Sequence, residues 1–192
     1  GDLNAQIAAC EIGRRRLCDL ESRYGVEALK NIFSDLLNRS ELMTRQAIKA
    51  LPDGSHSYVD YLDNDGIDLD TPIKIEVSVL VQADSVHIDF TGTSQQVRGP
   101  FNLMPSGAYA AAYFAVHAMT DPSIPTNGGC FRPIKLILPP KSIVNPEEPA
   151  PVNARTSTMK RVAGCITSAL GQFLPDRAPA DAAGEMLLLA FG

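Results

Sequence analysis

No apolar run in the 192 residues reaches the roughly 20 that a bilayer-spanning helix requires. No basic stretch followed by an apolar one opens the chain, so no secretory leader is expected. Cations are scarce: 17 Lys and Arg stand against 22 Asp and Glu, a net charge of -5. Phosphate backbones are held by clustered cations that displace counterions, so this balance excludes a broad nucleic-acid surface. The one basic cluster, Arg14-Arg15-Arg16, falls inside a helical pattern and reads as a solvated face or an inter-subunit contact. The four cysteines, Cys10, Cys18, Cys130 and Cys165, form no C-x-x-C pair and have irregular spacings. That excludes a disulfide framework and a zinc ribbon. A cytoplasmic protein with no membrane association and reduced thiols is the expectation.

The familiar catalytic signatures are missing as well. There is no G-x-S-x-G nucleophile elbow. There is no G-x-x-x-x-G-K-[ST] phosphate loop and no H-E-x-x-H metal helix. His56, His87 and His117 lie far apart. No metal ligand set and no nucleotide site are therefore expected within this chain.

What is present is a hydrophobic fraction of 45%, enough for a real core. Leu3, Ile7, Cys10, Leu17, Leu20 and Tyr24 recur at helical spacing over residues 2–24, with Gly25 as the stop. Leu29, Ile32, Phe33, Leu36, Leu37, Met43 and Ala47 form the stripe of a second helix over 26–50. The two predict a helical hairpin, set apart as residues 1–51. Pro52-Asp53-Gly54 turns the chain, and the composition then changes over 52–192. Residues 56–62 read as a short strand. Ile73, Ile75, Val77, Val79 and Val81 alternate with Lys74, Glu76, Ser78 and Gln82, and Val86, Ile88 and Phe90 alternate with His87 and Asp89. This predicts a β-hairpin over 73–90. A further helix is expected over 107–119, a strand over 132–138 and a last helix over 156–174. The fold class is α+β: an N-terminal helical hairpin followed by a mainly antiparallel sheet with packed helices. The chain opens on Gly1-Asp2 without Met and closes inside the apolar run Leu187-Leu188-Leu189-Ala190-Phe191-Gly192. A piece of something longer is the expectation, a docked terminal helix or strand the alternative.

Two segments invite a functional reading. Asp60, Asp63, Asp65, Asp68 and Asp70 surround Gly66. An EF-hand register would put Pro72 where the bidentate Glu belongs, so a turn built by Asp and Asn side chains is the better account. Asp89-Phe90-Thr91-Gly92-Thr93-Ser94-Gln95-Gln96, then Gly99-Pro100-Phe101-Asn102, runs from a strand into a long loop of glycines, hydroxyls and amides. Glycine lets a ligand approach the backbone, and neutral donors and acceptors suit a small polar molecule with amide or carbonyl groups. A loop that merely satisfies its own backbone explains the same composition equally well.

These segments also carry a resemblance. Asp2-Leu3-x-Ala5-Gln6, Leu51-Pro52-Asp53-Gly54, Asp63-x-Asp65-Gly66 and Asp89-Phe90-Thr91-Gly92-Thr93 resemble the hydantoinase B/oxoprolinase family. So do Pro122-x-Ile124-Pro125-x-Asn127-x-Gly129, Asn145-Pro146, Pro149-Ala150-Pro151-Val152 and Ala154-Arg155, in order along nearly the whole chain. The resemblance implies a B-type subunit of an ATP-dependent hydrolase that opens cyclic amides such as hydantoins or 5-oxoproline. Its partner would be a hydantoinase A-type subunit carrying ATP and Mg. Ketone carboxylases share the family, and a purely scaffolding role for this segment is the non-enzymatic alternative. Family members are longer, so the fragment is expected to be inactive alone, to hold no cofactor, and to leave any divalent metal elsewhere in the parent protein. Asp89 is the candidate acid/base. Thr91, Gly92, Thr93, Asn102 and Arg155 are the candidate substrate contacts, the guanidinium of Arg155 suiting a carboxylate or phosphate oxygen.

Overall fold

A computed structural model describes residues 1–184. The terminal apolar run Leu187–Gly192 lies outside the described residues. The elements are α1 (Asp2–Tyr24), α2 (Val26–Lys49), β1 (Gly54–Leu62), β2 (Ile73–Gln82), β3 (Ser85–Asp89), α3 (Pro105–Met119), β4 (Ile134–Ile137) and α4 (Arg155–Gly171), with a 3-10 turn at Pro175–Arg177. The strands form one sheet in the order β1-β2-β3-β4. The first three are antiparallel, and β4 joins β3 in parallel after the crossover through α3.

The alternation read from the sequence fixes which face is dry. Ile73, Ile75, Val77, Val79 and Val81 of β2, with Val86 and Ile88 of β3, are almost completely buried. Helix α4 lies across β1 and β2 on that face and packs side by side with α3. Helix α3 presents Ala108, Ala111, Ala112 and Ala115 inward, and side chains that small let a neighbour approach closely. Pro105 opens α3 two residues earlier than expected, at a position where its missing N–H costs nothing. The opposite face of the sheet carries Lys74, Glu76, Ser78, Leu80, His87 and Asp89, all half-buried or exposed.

The two N-terminal helices meet at Gly25 (φ 78°, ψ 155°). They touch only sparingly, and α1 buries none of its residues. The C-terminal half of α2 is the anchored part. Asn127 donates its side-chain N–H to Ser40 Oγ (2.7 Å), and Arg132 reaches Asn38 (3.0 Å) and Glu41 (2.9 Å). The guanidiniums of Arg132 and Arg45 hold the Glu41 carboxyl below the ordinary carboxylate range.

Candidate functional site

The chain leaves β3 at Asp89 and turns through Thr91, Gly92 and Thr93. Asp89 Oδ1 accepts both the Thr91 N–H (2.8 Å) and the Thr91 hydroxyl (2.6 Å). The carboxylate thus closes the turn locally and does not pair with His87, its neighbour two residues back on the same face. Gly92 has φ +100°, a region that L side chains rarely adopt. A Cβ there would also stand 2.5 Å from Glu76 Oε2, because the Glu76 carboxylate lies over the Gly92 backbone. Lys74 Nζ donates to that carboxylate at 2.8 Å, which raises the Lys74 pKa above the usual lysine range.

Thr93 is buried, and its hydroxyl is fully used. It donates to Glu76 O (2.9 Å) and accepts from Glu76 N–H (3.1 Å). Ser94 continues the pattern: its N–H donates to Lys74 O (2.9 Å) and its Oγ accepts from Lys74 N–H (2.9 Å).

Asn102 is 0% exposed. Its Oδ1 accepts from Val97 N–H (2.9 Å), and its Nδ2 donates to Val97 O (2.8 Å), Pro151 O (3.0 Å) and Gly99 O (3.2 Å). It therefore ties the 97–102 loop to the Pro-rich segment before α4. Arg155 is exposed at the start of that helix and donates to Val152 O at 3.2 Å. Among the described residues no hydrogen bond joins Arg155 to Asp89, Thr91 or Thr93. The six named residues thus fall into two groups. Asp89, Thr91, Gly92 and Thr93 share one turn with Lys74 and Glu76; Asn102 and Arg155 sit at the loop junction before α4.

The acidic segment is built into the loops. Asp65 Oδ1 accepts from Ile67 N–H (2.8 Å) and Asp68 N–H (2.6 Å), and its Oδ2 accepts from Gly99 N–H (2.9 Å). These donors, led by the Asp68 N–H, depress its carboxyl below the usual range. A Cβ at Gly99 would fall on the Asp65 carbonyl, so only glycine allows the two loops to meet. Asp60 forms an ion pair with Arg161 at 2.6 Å. Among the described residues no group of three or more His, Cys, Asp or Glu stands together as a metal would require.

The largest cavity described, about 820 Å³, lies elsewhere. It runs along α4 past Tyr58, Asp60, Phe114 and Arg161 to residues 178–184, and none of the six named residues lines it. Cys165 is buried in α4, and burial pushes its thiol up to about 12, so it carries no thiolate at neutral pH.

Helices on one face of the sheet, and on the other a polar surface ending in a glycine turn closed by an aspartate, define an α+β scaffold with one open face. The signature of Hydantoinase B/oxoprolinase matches residues 1–192, and the chain belongs to that family. It is 36% identical over 202 residues to the B-type component of a putative D-/L-hydantoinase from Pseudomonas sp. (strain NS671), covering all of this chain and 34% of that protein. The crystal structure of the ATP-dependent caprolactamase from Pseudomonas jessenii superposes with a TM-score of 0.85 at 30% identity, over 92% of this chain and 31% of that one. A nucleotide-free acetone carboxylase structure shares the fold, with a TM-score of 0.83 at 17% identity over 95% of this chain and 26% of the other. The chain thus spans between about a quarter and a third of the length of these three relatives. Among the described residues no helix is long and apolar enough to cross a membrane.

Proposed function

We propose that the chain is part of a B-type subunit of a cytoplasmic, ATP-dependent enzyme that opens a cyclic amide such as a hydantoin or 5-oxoproline. In this reading it is inactive alone and works with a hydantoinase A-type subunit that binds ATP and Mg. The observation that carries the reading is the match to the hydantoinase B/oxoprolinase signature along the whole chain, joined by 36% identity to a hydantoinase component. The carboxylate pair on the open sheet face supports it. Glu76 and Asp89 stand on adjacent strands of that face, and the Glu76 carboxylate, held by Lys74, lies over the Gly92 backbone.

Asp89, already holding the Thr91 hydroxyl, would orient the amide N–H of the ring or accept its proton. Thr91, whose one hydroxyl hydrogen goes to Asp89, would accept from a ring N–H, and Gly92 would give the Glu76 carboxylate its place beside the ring. Thr93 and Asn102, whose polar atoms are committed to backbone partners, would contribute by holding the turn and loop in place. Arg155 would neutralise an anionic oxygen of the activated substrate. ATP, when bound on the partner, would supply the phosphoryl group that makes a stable amide oxygen a leaving group.

The test is ATP turnover by the complete B-type protein co-produced with its A-type neighbour, with hydantoin, 5-oxoproline and caprolactam. Stimulation by a cyclic amide that needs both proteins, and that falls at least tenfold in Asp89→Asn, is the expected result. Stimulation by acetone with bicarbonate alone would move the chain to the carboxylase branch. Turnover unaffected by Asp89→Asn and Thr91→Val together would leave this segment a scaffold.

A further inference from the structure

His117 stands on α3 and is half-buried, yet its Nε2 is shut off from solvent and has no hydrogen-bond partner among the described residues. Buried polar atoms in native proteins are supplied with a partner, from the protein or from ordered water.

His117 lines a small cavity between α2, α3 and the loop that leads into β4, together with Thr44, Thr120 and Cys130. Tyr113 and apolar side chains close the rest of it. Its volume of about 10 Å³ is at the lower end of the roughly 10–15 Å³ that one water molecule needs, and it admits nothing larger.

The hydroxyls of Thr44 and Thr120 and the thiol of Cys130 have each spent their hydrogen. Thr44 donates to Ser40 O (3.0 Å), Thr120 to Val116 O (2.7 Å) and Cys130 to Asn127 O (3.0 Å). Each hydroxyl oxygen keeps a lone pair and can only accept a further bond. A water molecule matches this set. It accepts from the His117 Nε2–H and donates one hydrogen to each threonine oxygen, which makes three bonds, the usual number for a buried water.

The residue types agree. Thr44 is 4% exposed and Thr120, the capping residue of α3, 8%. Valine has the same shape, and a hydroxyl that bonds only back to its own helix slightly destabilises that helix. The lone pair left on each oxygen is what accounts for a buried threonine at both positions. Ser40, one turn before Thr44 on the buried face of α2, meets Asn127 directly at 2.7 Å. A water at Thr44 continues this row of polar contacts by one turn and carries it to α3. Among the described residues no hydrogen bond joins α2 to α3 directly.

We infer that His117, Thr44 and Thr120 form a binding site for one ordered water, which links α2 to α3 and fixes the His117 hydrogen on Nε2.

Crystals of the complete B-type protein that diffract well enough to show ordered solvent test this. One solvent peak within about 2.5–3.2 Å of His117 Nε2, Thr44 Oγ1 and Thr120 Oγ1 is expected. A His117 Nε2 bonded straight to a protein oxygen overturns the inference, as does a site without a peak where other buried waters are visible. Thermal unfolding of the same protein reads the link in solution. Thr44→Val and His117→Phe should each lower the midpoint. The double variant should fall short of the sum of the two by about 2 °C or more, because the first change already releases the water. Falls that simply add overturn the link.

Discussion

Replacing Asn102 by alanine separates a residue that holds the loop from one that binds a ligand. The side chain is fully buried and its amide makes four contacts. It has two N–H groups for three carbonyls, so the longest contact, to Gly99 O at 3.2 Å, shares a hydrogen with another. Alanine would strand the Val97 N–H, which has a single acceptor, and leave the carbonyls of Val97, Gly99 and Pro151 short of a donor. A buried polar group deprived of its partner costs about 1–3 kcal/mol. Partial rescue of the carbonyls by entering water brings the sum to about 3–5 kcal/mol. For a domain of this size each kcal/mol moves the unfolding midpoint by about 2–4 °C, which gives a fall of about 6–20 °C. Thermal unfolding followed by circular dichroism reads this directly. Asn102→Asp is the companion variant: it keeps the shape but turns the donor toward three carbonyls into a second acceptor, and should cost at least as much. A midpoint within about 2 °C of the parent in Asn102→Ala would refute the reasoning, because surface substitutions alone fall in that range.

Two further outcomes follow from the same loops. The Asp65 carboxyl is depressed in the folded state by its backbone donors, so the stability it contributes is present above the ordinary carboxylate range. That stability is lost as pH falls through the depressed folded value. Asp65→Asn should flatten the acid limb of a plot of unfolding midpoint against pH, and an unchanged limb would remove Asp65 from the account. Gly99→Ala should destabilise more than Gly92→Ala, because its Cβ meets the Asp65 backbone, whereas at Gly92 the obstacle is the movable end of Glu76. For Gly92→Ala, where φ is positive, about 1–2 kcal/mol is expected. Urea midpoints for both variants, with unchanged slopes, are the check, and the reverse order would contradict the geometry.

The elements legible in the sequence are those whose periodicity is local. Alternation from Ile73 to Phe90 marks the hairpin and its buried face, and Gly25 marks the break between α1 and α2. The α+β class and the mostly antiparallel sheet follow from these. Periodicity does not say what a stripe packs against, however. The stripe of α1 reads as half of a packed hairpin, yet none of its residues is buried. The sequence predicts a last helix reaching residue 174, but the helix ends at Gly171, where the chain tightens into 3-10 contacts such as Phe173 N–H to Leu170 O (3.0 Å) ahead of Pro175.

At the candidate site, Asp89, Thr91 and Gly92 come together because they are contiguous. Lys74 and Glu76 read in the sequence only as the polar side of a strand. Their place beside Gly92 depends on the two-residue turn at Ala83–Asp84, which pairs Ser78 with Asp89 and so brings Glu76 beside the turn. That turn length is the signal that could have found them. The reach of Asp65 to Gly99, 34 residues away, leaves no periodic trace, because a side chain bonding to a distant backbone follows no spacing rule.

The bonds from Thr93 and Ser94 to β2 have a consequence beyond this turn. β3 pairs with β2 only as far as Ser78, so the backbone groups of Lys74 and Glu76 on that side would otherwise form an open strand margin, a template for any passing chain. Two hydroxyls occupy the N–H groups of Lys74 and Glu76, and a hydroxyl and an amide occupy their carbonyls. Side chains thereby complete a ladder that the backbone abandons. The Thr-Gly-Thr-Ser stretch acts as a guard against cross-chain strand addition, and its loss would be felt first as poor solubility during folding, before any change in the finished sheet.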